Sequence, residues 1–175
     1  ASRPQAPAIL RATYSAKFDG DRRLSGPLNW ELHHLDAQPG LLTLGTSSLA
    51  VSDIRTDQRA AVHGLNPSGE WQLWSTGDES KLVGEWSHWG EARLSSRVFD
   101  LQLPRALSSR LELELPRGWE ARVAGITPEV KVPGDGTTHV WTFDLGRQLT
   151  APLRIEPARP TGAPRILVRE NTVYR

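Results

Sequence analysis

The side chains best equipped for chemistry in this 175-residue chain gather in three places. The first is His33, His34 and Asp36, with Glu31 just upstream. Imidazoles and carboxylates at short spacing are the raw material of metal ligation and general acid–base catalysis. Adjacent residues of a strand point to opposite faces, however, so His33 and His34 cannot ligate one metal from a regular strand. His33 and Glu31 do share a face, and a solvated strand surface accounts for them without any reaction. The second place is Asp19-Gly20-Asp21, which resembles the start of a calcium loop. Arg22-Arg23 stands where further oxygen ligands belong, so a turn is expected instead. His63, His88 and His139 show no metal-ligand spacing. Serine nucleophile elbows, phosphate-cradling glycine loops and His-Glu-x-x-His pairs are missing, and the chain has no Cys. These residues lead us to expect no catalytic centre, no metal and no cofactor.

The third place is the tryptophan-rich stretch from Trp71 to Trp89. The chain has 7 Trp against 3 Phe and 2 Tyr, so indoles dominate its aromatic surface. If Thr76–Lys81 closes a hairpin, Trp71 faces Trp86 and Trp74 faces Val83. Trp71, Leu73, Leu82 and Trp86 then form a core face. Trp74 falls on the other face with Gln72, Glu85 and Trp89. Indoles amid polar groups stack on sugar rings or anchor a partner protein, which makes these four the candidate ligand-binding residues. Trp74 and Trp89 would stand on the order of 20 Å apart at strand rise, too far to clamp one monosaccharide. A covering loop or second layer is the alternative use of the same face.

The elements that must hold these residues read as strands. Leu10, Ala12, Tyr14, Ala16 and Phe18 alternate with Arg11, Thr13, Ser15, Lys17 and Asp19, the period of a half-buried strand. Leu28, Trp30, Leu32 and His34 share one face of the next run. Further alternating runs occupy 41–44, 49–54, 71–76, 82–89, 99–103, 111–115, 119–123, 140–145 and 149–155, punctuated by Gly and Pro turns. Thr56–Gly64 alone has a helical look, with Asp57 as a cap, and reads otherwise as one more strand. The expectation is an all-β fold: an antiparallel β-sandwich of about a dozen strands with at most one short helix. Residues 1–8 read as a tail, 9–157 as the domain, 158–164 as a Pro/Gly linker and 165–175 as a terminal strand. Phe18-Asp19, Phe99-Asp100 and Phe143-Asp144 each open a similar segment, Leu-[Ser/Thr]-x-x-Leu-x-apolar-Glu, which reads as a reused hairpin.

Lys plus Arg total 21 against 20 for Asp plus Glu, which lacks the basic excess of a nucleic-acid binder. No apolar run approaches the roughly 18 residues of a membrane span, so a membrane is expected only through an anchor outside this chain.

Several stretches resemble a family of long β-rich proteins, secreted or envelope-anchored, of planctomycete-type bacteria. The matching residues are 14–28 (YSAKFDGDRRLSGPL), 49–53 (LAVSD), 64–74 (GLNPSGEWQLW) and 82–86 (LVGEW). Others are 99–119 (FDLQLPRALSSRLELELPRGW), 141–146 (WTFDLG) and 167–174 (LVRENTVY). The resemblance implies an extracytoplasmic module excised from a multidomain protein, with neighbouring β domains as partners and the terminal strand opening the next domain. It transfers no catalytic residue. The expected role is a non-catalytic structural or adhesion module. A carbohydrate-binding module using the exposed Trp residues is the alternative, and a glycosidase or metal-hydrolase domain the remote one. A protein or polysaccharide ligand is an expected partner beside the neighbouring domains.

Overall fold

The structure, a computed structural model, describes residues 7–34, 38–56, 59–77, 81–133 and 136–158. Asp36, the first six residues of the expected tail, the linker beyond Ala158 and the terminal strand lie outside the described residues. Fifteen strands and no helix occur among those described. The first five are β1 (Ala8–Phe18), β2 (Arg23–His33), β3 (Gly40–Gly45), β4 (Ala50–Thr56) and β5 (Arg59–Ala60). Next come β6 (His63–Leu65), β7 (Trp71–Ser75), β8 (Lys81–Trp89), β9 (Glu91–Arg93) and β10 (Ser96–Gln102). The last are β11 (Ala106–Pro116), β12 (Trp119–Val123), β13 (Glu129–Lys131), β14 (Thr138–Gly146) and β15 (Thr150–Pro157).

They form three sheets: β13-β14-β11-β1-β2-β8-β4-β5, β12-β15-β10-β9 and β3-β7-β6. The all-β expectation holds, with fifteen strands among the described residues against about a dozen expected, but the expectation of purely antiparallel sheets is corrected. The eight-stranded sheet is mixed, because β1 runs parallel to β11 from Ile9↔Ala106 to Lys17↔Glu114. Alternation along one strand says which side chains point inward; it says nothing of a partner about a hundred residues away. The helical reading of Thr56–Gly64 is corrected too. Arg59 and Ala60 pair with Thr56 and Arg55, and His63–Leu65 pairs with β7.

One contiguous core joins the inner faces of all three sheets. Tyr14, Phe18, Trp30 and Leu113 are buried as their phase predicts. Leu10 is not: the β1–β2 register slips between Ile9 and Arg11, so Ile9 enters the core and Leu10 turns outward. Trp119 is half-buried, packed edge-on against Phe18 with ring centroids 5.0 Å apart. The centre of the core is a polar-tipped aromatic cluster. Trp30 donates its indole N–H to the Tyr14 hydroxyl at 3.2 Å. Trp86 meets the Tyr14 ring edge-on at 5.9 Å and donates its own indole N–H to the Ser15 carbonyl at 2.9 Å.

That last bond resolves a local conflict. Pro27 lies in the interior strand β2, opposite Ser15 in the register set by Tyr14↔Leu28 and Lys17↔Ser25. Proline has no N–H to give the ladder, which normally keeps it off interior strands. Here the Ser15 carbonyl is satisfied by Trp86 from the next strand. Gly26, the residue paired with Trp86, is part of the same device, since a Cβ there would run into the Ser15 carbonyl oxygen. At Gly90 the chain leaves the large sheet for the four-stranded one, and a Cβ would strike Val98 O and the Phe99 ring.

The Phe-Asp echo forms a hairpin in one copy of three. All three Phe are buried, and Asp19 and Asp144 accept the N–H two residues on, from Asp21 at 3.0 Å and Gly146 at 3.1 Å. Only β1–β2 is a hairpin, however; β10→β11 and β14→β15 cross between sheets. The closing Glu of each copy is ion-paired with a neighbouring strand: Glu31 with Arg11, Glu114 with Lys17 and Glu156 with Arg122.

Burial pushes the Tyr14 phenol well above its ordinary range, and the Trp30 N–H offsets only part of that rise. Tyr14→Phe should cost about 1–3 kcal/mol at neutral pH, because Trp30 Nε1 is left buried without an acceptor. Above a pH of about 10 only the unfolded wild-type chain ionises this group, so the wild-type advantage should shrink as pH climbs. Urea unfolding of both proteins from pH 8 to 11 checks this; a constant difference would contradict it.

Candidate functional site

The expected Thr76–Lys81 hairpin does not form. β7 pairs with β3 and β6, while β8 pairs with β2 and β4 in the large sheet. Both are surrounded strands, so each takes its neighbours from elsewhere in the chain. Trp71 is half-buried against the core, with the His63 ring tilted against it at a centroid distance of 5.2 Å, while Leu73, Leu82 and Trp86 are buried. The core face survives; its register is replaced.

The four candidate ligand residues consequently separate into two pairs. Gln72 and Trp74 share the outward face of β7 in the three-stranded sheet. Glu85 and Trp89 share the outward face of β8 in the large sheet. Trp89 is 63% exposed, with the Arg23 guanidinium 6.0 Å from its ring centroid. Glu85 borders a cavity of about 360 Å³ on the outward face, shared with Thr13, Asn29, Asp53, Arg55 and Lys81. Asp53 takes a left-handed backbone (φ 52) where the β4–β8 register breaks, and the Asn29 side-chain oxygen is buried without a partner.

Around Trp74 the sequence pattern leaves two neighbours unseen. Leu41 of β3 pairs directly with Trp74, and the Trp74 N–H donates to Val62 O at 2.8 Å from the other side. Leu41, Trp74 and Val62, the residue just before β6, therefore lie side by side, exposed 47%, 44% and 71%. Val62 is hidden by the helical look of its segment.

The titratable candidates disperse. Glu31 pairs with Arg11 at 3.3 Å rather than with His33, which is exposed at the end of β2. His34 lies 3.4 Å from the Ser75 hydroxyl, and His88 Nδ1 is 2.9 Å from Ser48 O. Asp19-Gly20-Asp21 is the turn described above. Among the described residues, no three His, Cys, Asp or Glu side chains converge on a point that could hold a metal ion.

No family model and no curated protein matches the sequence. Solved structures do resemble the fold. An M1 zinc metallopeptidase from Deinococcus radiodurans superposes with a TM-score of 0.56 at 10% identity, over 87% of this chain and 42% of that one. A two-domain M1 zinc metallopeptidase mutant bound to L-arginine gives 0.54 at 12% identity, over 87% and 43%. Native yeast LTA4 hydrolase gives 0.53 at 12% identity, over 86% and 28%. The fold recurs inside larger hydrolases. At these identities the likeness establishes the fold alone, and this chain spans less than half the length of each.

Trp86 and Trp74 should separate cleanly in stability. Trp86→Ala should destabilise by about 3–5 kcal/mol, as large aromatic truncations in cores do. Trp74→Ala should cost under about 1 kcal/mol, since its indole rests on the outside of its sheet. Chemical denaturation of the two variants decides it, and equal losses would contradict the placement.

Proposed function

We propose that this β domain serves, without chemistry of its own, as a structural module beside a hydrolytic unit in a larger extracytoplasmic protein. The observation that carries the reading is the asymmetry of the structural match. Nearly the whole domain, 87%, finds a counterpart in 43% of a two-domain zinc metallopeptidase. A fold used whole as a minority of a hydrolase chain fits a framing role next to a catalytic domain. The dispersal of the histidines supports the same reading, because His34, His63 and His88 are each engaged at a different place in the fold. Extracytoplasmic placement, in the cell envelope or beyond it, rests on the resemblance carried by the 99–119 and 167–174 stretches.

Carbohydrate binding is the second reading, favoured by the exposed Trp89 ring beside Arg23 and on the face of Glu85. Both readings meet one set of assays. Residues 1–175 with added Zn²⁺ should leave aminoacyl 4-nitroanilides and tripeptides intact, and the longest polypeptide of the same gene should cleave them. Turnover by the domain alone would overturn the module reading. Retardation in a polysaccharide gel, abolished by Trp89→Ala, would move the assignment to carbohydrate.

A further inference from the structure

We infer that the cavity bordered by Asp53, Arg55, Lys81 and Glu85 on the outward face of the large sheet binds a short zwitterionic peptide by its two charged ends, an inference independent of the module reading above. The sequence builds this cavity locally. Ser52 pairs with Glu85 and Arg55 with Val83, so β4 carries one residue more than β8 between those two pairs. The extra residue keeps Ile54 in the core and brings Arg55 to the outward face; without it Ile54 would oppose Val83. Asp53 takes up the difference in its left-handed backbone (φ 52). Gly84 makes room for the bulge, since a Cβ there would lie 3.0 Å from Ser52 O and 3.3 Å from the Ile54 Cα.

The charges around this cavity of about 360 Å³ stand unpaired. On the same face Arg11 pairs with Glu31 and Lys17 with Glu114. Among the described residues, no ion pair joins Asp53, Arg55, Lys81 or Glu85 to one another or to any other group. Glu31, which lies opposite Lys81, is taken by Arg11. Arg55 is held over the bulge by an Nε–H bond to Asp53 O at 3.4 Å, which leaves both terminal nitrogens of its guanidinium unengaged. Two cations and two carboxylates cancel, so neither a lone anion nor a lone cation would meet all four. They are also sorted by sign. Lys81 and Glu85 stand about 13 Å apart along β8 at strand rise, with Arg55 level with Val83 between them and Asp53 on the Glu85 side. A single amino acid is too short to join such ends. An extended three-residue peptide spans about 10 Å, which brings its carboxylate to Lys81 and Arg55 and its ammonium to Glu85 and Asp53. Between the ends, exposed Val83 offers an apolar contact, and Asn29 brings a side-chain oxygen that has no donor within the protein.

Titration of the 175-residue chain with trialanine, followed by amide NMR, tests the site. The amides of Asp53, Arg55, Val83 and Glu85 should shift and saturate. N-acetyl-trialanine and trialanine amide should each bind about tenfold more weakly. Glu85→Gln should weaken trialanine by a similar factor and leave N-acetyl-trialanine unchanged, whereas Lys81→Gln should weaken trialanine and leave trialanine amide unchanged. Both side chains are exposed, so denaturant melts should match the wild type; the three peptides on the wild-type chain decide the matter even if a variant fails to fold. Absence of saturable shifts, shifts confined to another face, or equal affinity for free and blocked peptides would overturn the inference. Saturation of the same amides by inorganic phosphate or maltotriose as tightly as by trialanine would assign the cavity to an anion or a sugar and overturn it too.

Discussion

The parallel pairing of β1 with β11 is the constraint on which the rest of this structure depends. On one side of that seam the large sheet is built from β2, β8, β4 and β5; on the other it is built from β11, β14 and β13. The smaller sheets divide similarly, β3, β7 and β6 coming from the first part of the chain and β9, β10, β12 and β15 from the second. Parallel strands cannot be joined by a tight turn, and here the whole intervening chain serves as the connection. The loop-closure cost of such a contact is offset by what the two strands bury, namely Ile9, Ala12, Tyr14, Ala16 and Phe18 against Ala106, Leu111, Leu113 and Leu115. Tyr14 and Ser15 then tie the seam to Trp30 and Trp86, so the central aromatic cluster and the central strand are one unit.

From that unit the outward faces of the sheets differ in make-up. The outward face of the large sheet carries ion pairs across neighbouring strands, with Val83 and Trp89 exposed on the same face. Exposed pairs of this kind add little stability. The three-stranded sheet hangs on the same core by Leu42, Leu44 and Leu73 and turns a second apolar face outward. The fold the domain shares with the solved metallopeptidases occupies a minority of their chains.

Much of the fold class was legible in the sequence, and its topology was not. Alternation along 10–18 and 28–34 reveals strands with an inward face, and Tyr14, Phe18, Trp30 and Leu113 are where that phase puts them. Leu10 escapes because a bulge resets the phase at one residue, and no pattern of polarity marks a bulge. The Trp71–Trp86 pairing fails for a more general reason. Hydrophobic period fixes the face of a side chain, whereas the partner strand is chosen by the whole core, so the short connection between β7 and β8 closes no hairpin. The candidate site was legible to the same degree. Trp74 and Trp89 are exposed as expected, but sheet membership parts them and gives Trp74 the apolar company of Leu41 and Val62.

Native-state hydrogen exchange tests the central role of the β1–β11 seam most directly. Amides of residues 12–16 and 111–115 should exchange only through global unfolding, with a free energy equal to that from denaturant melts and a denaturant slope to match. Amides of β6 and β9, at sheet edges, should open at lower cost. If the β1 and β11 amides instead exchange by a smaller opening while the flanking strands stay protected, the parallel seam is an accessory contact and the fold depends on something else.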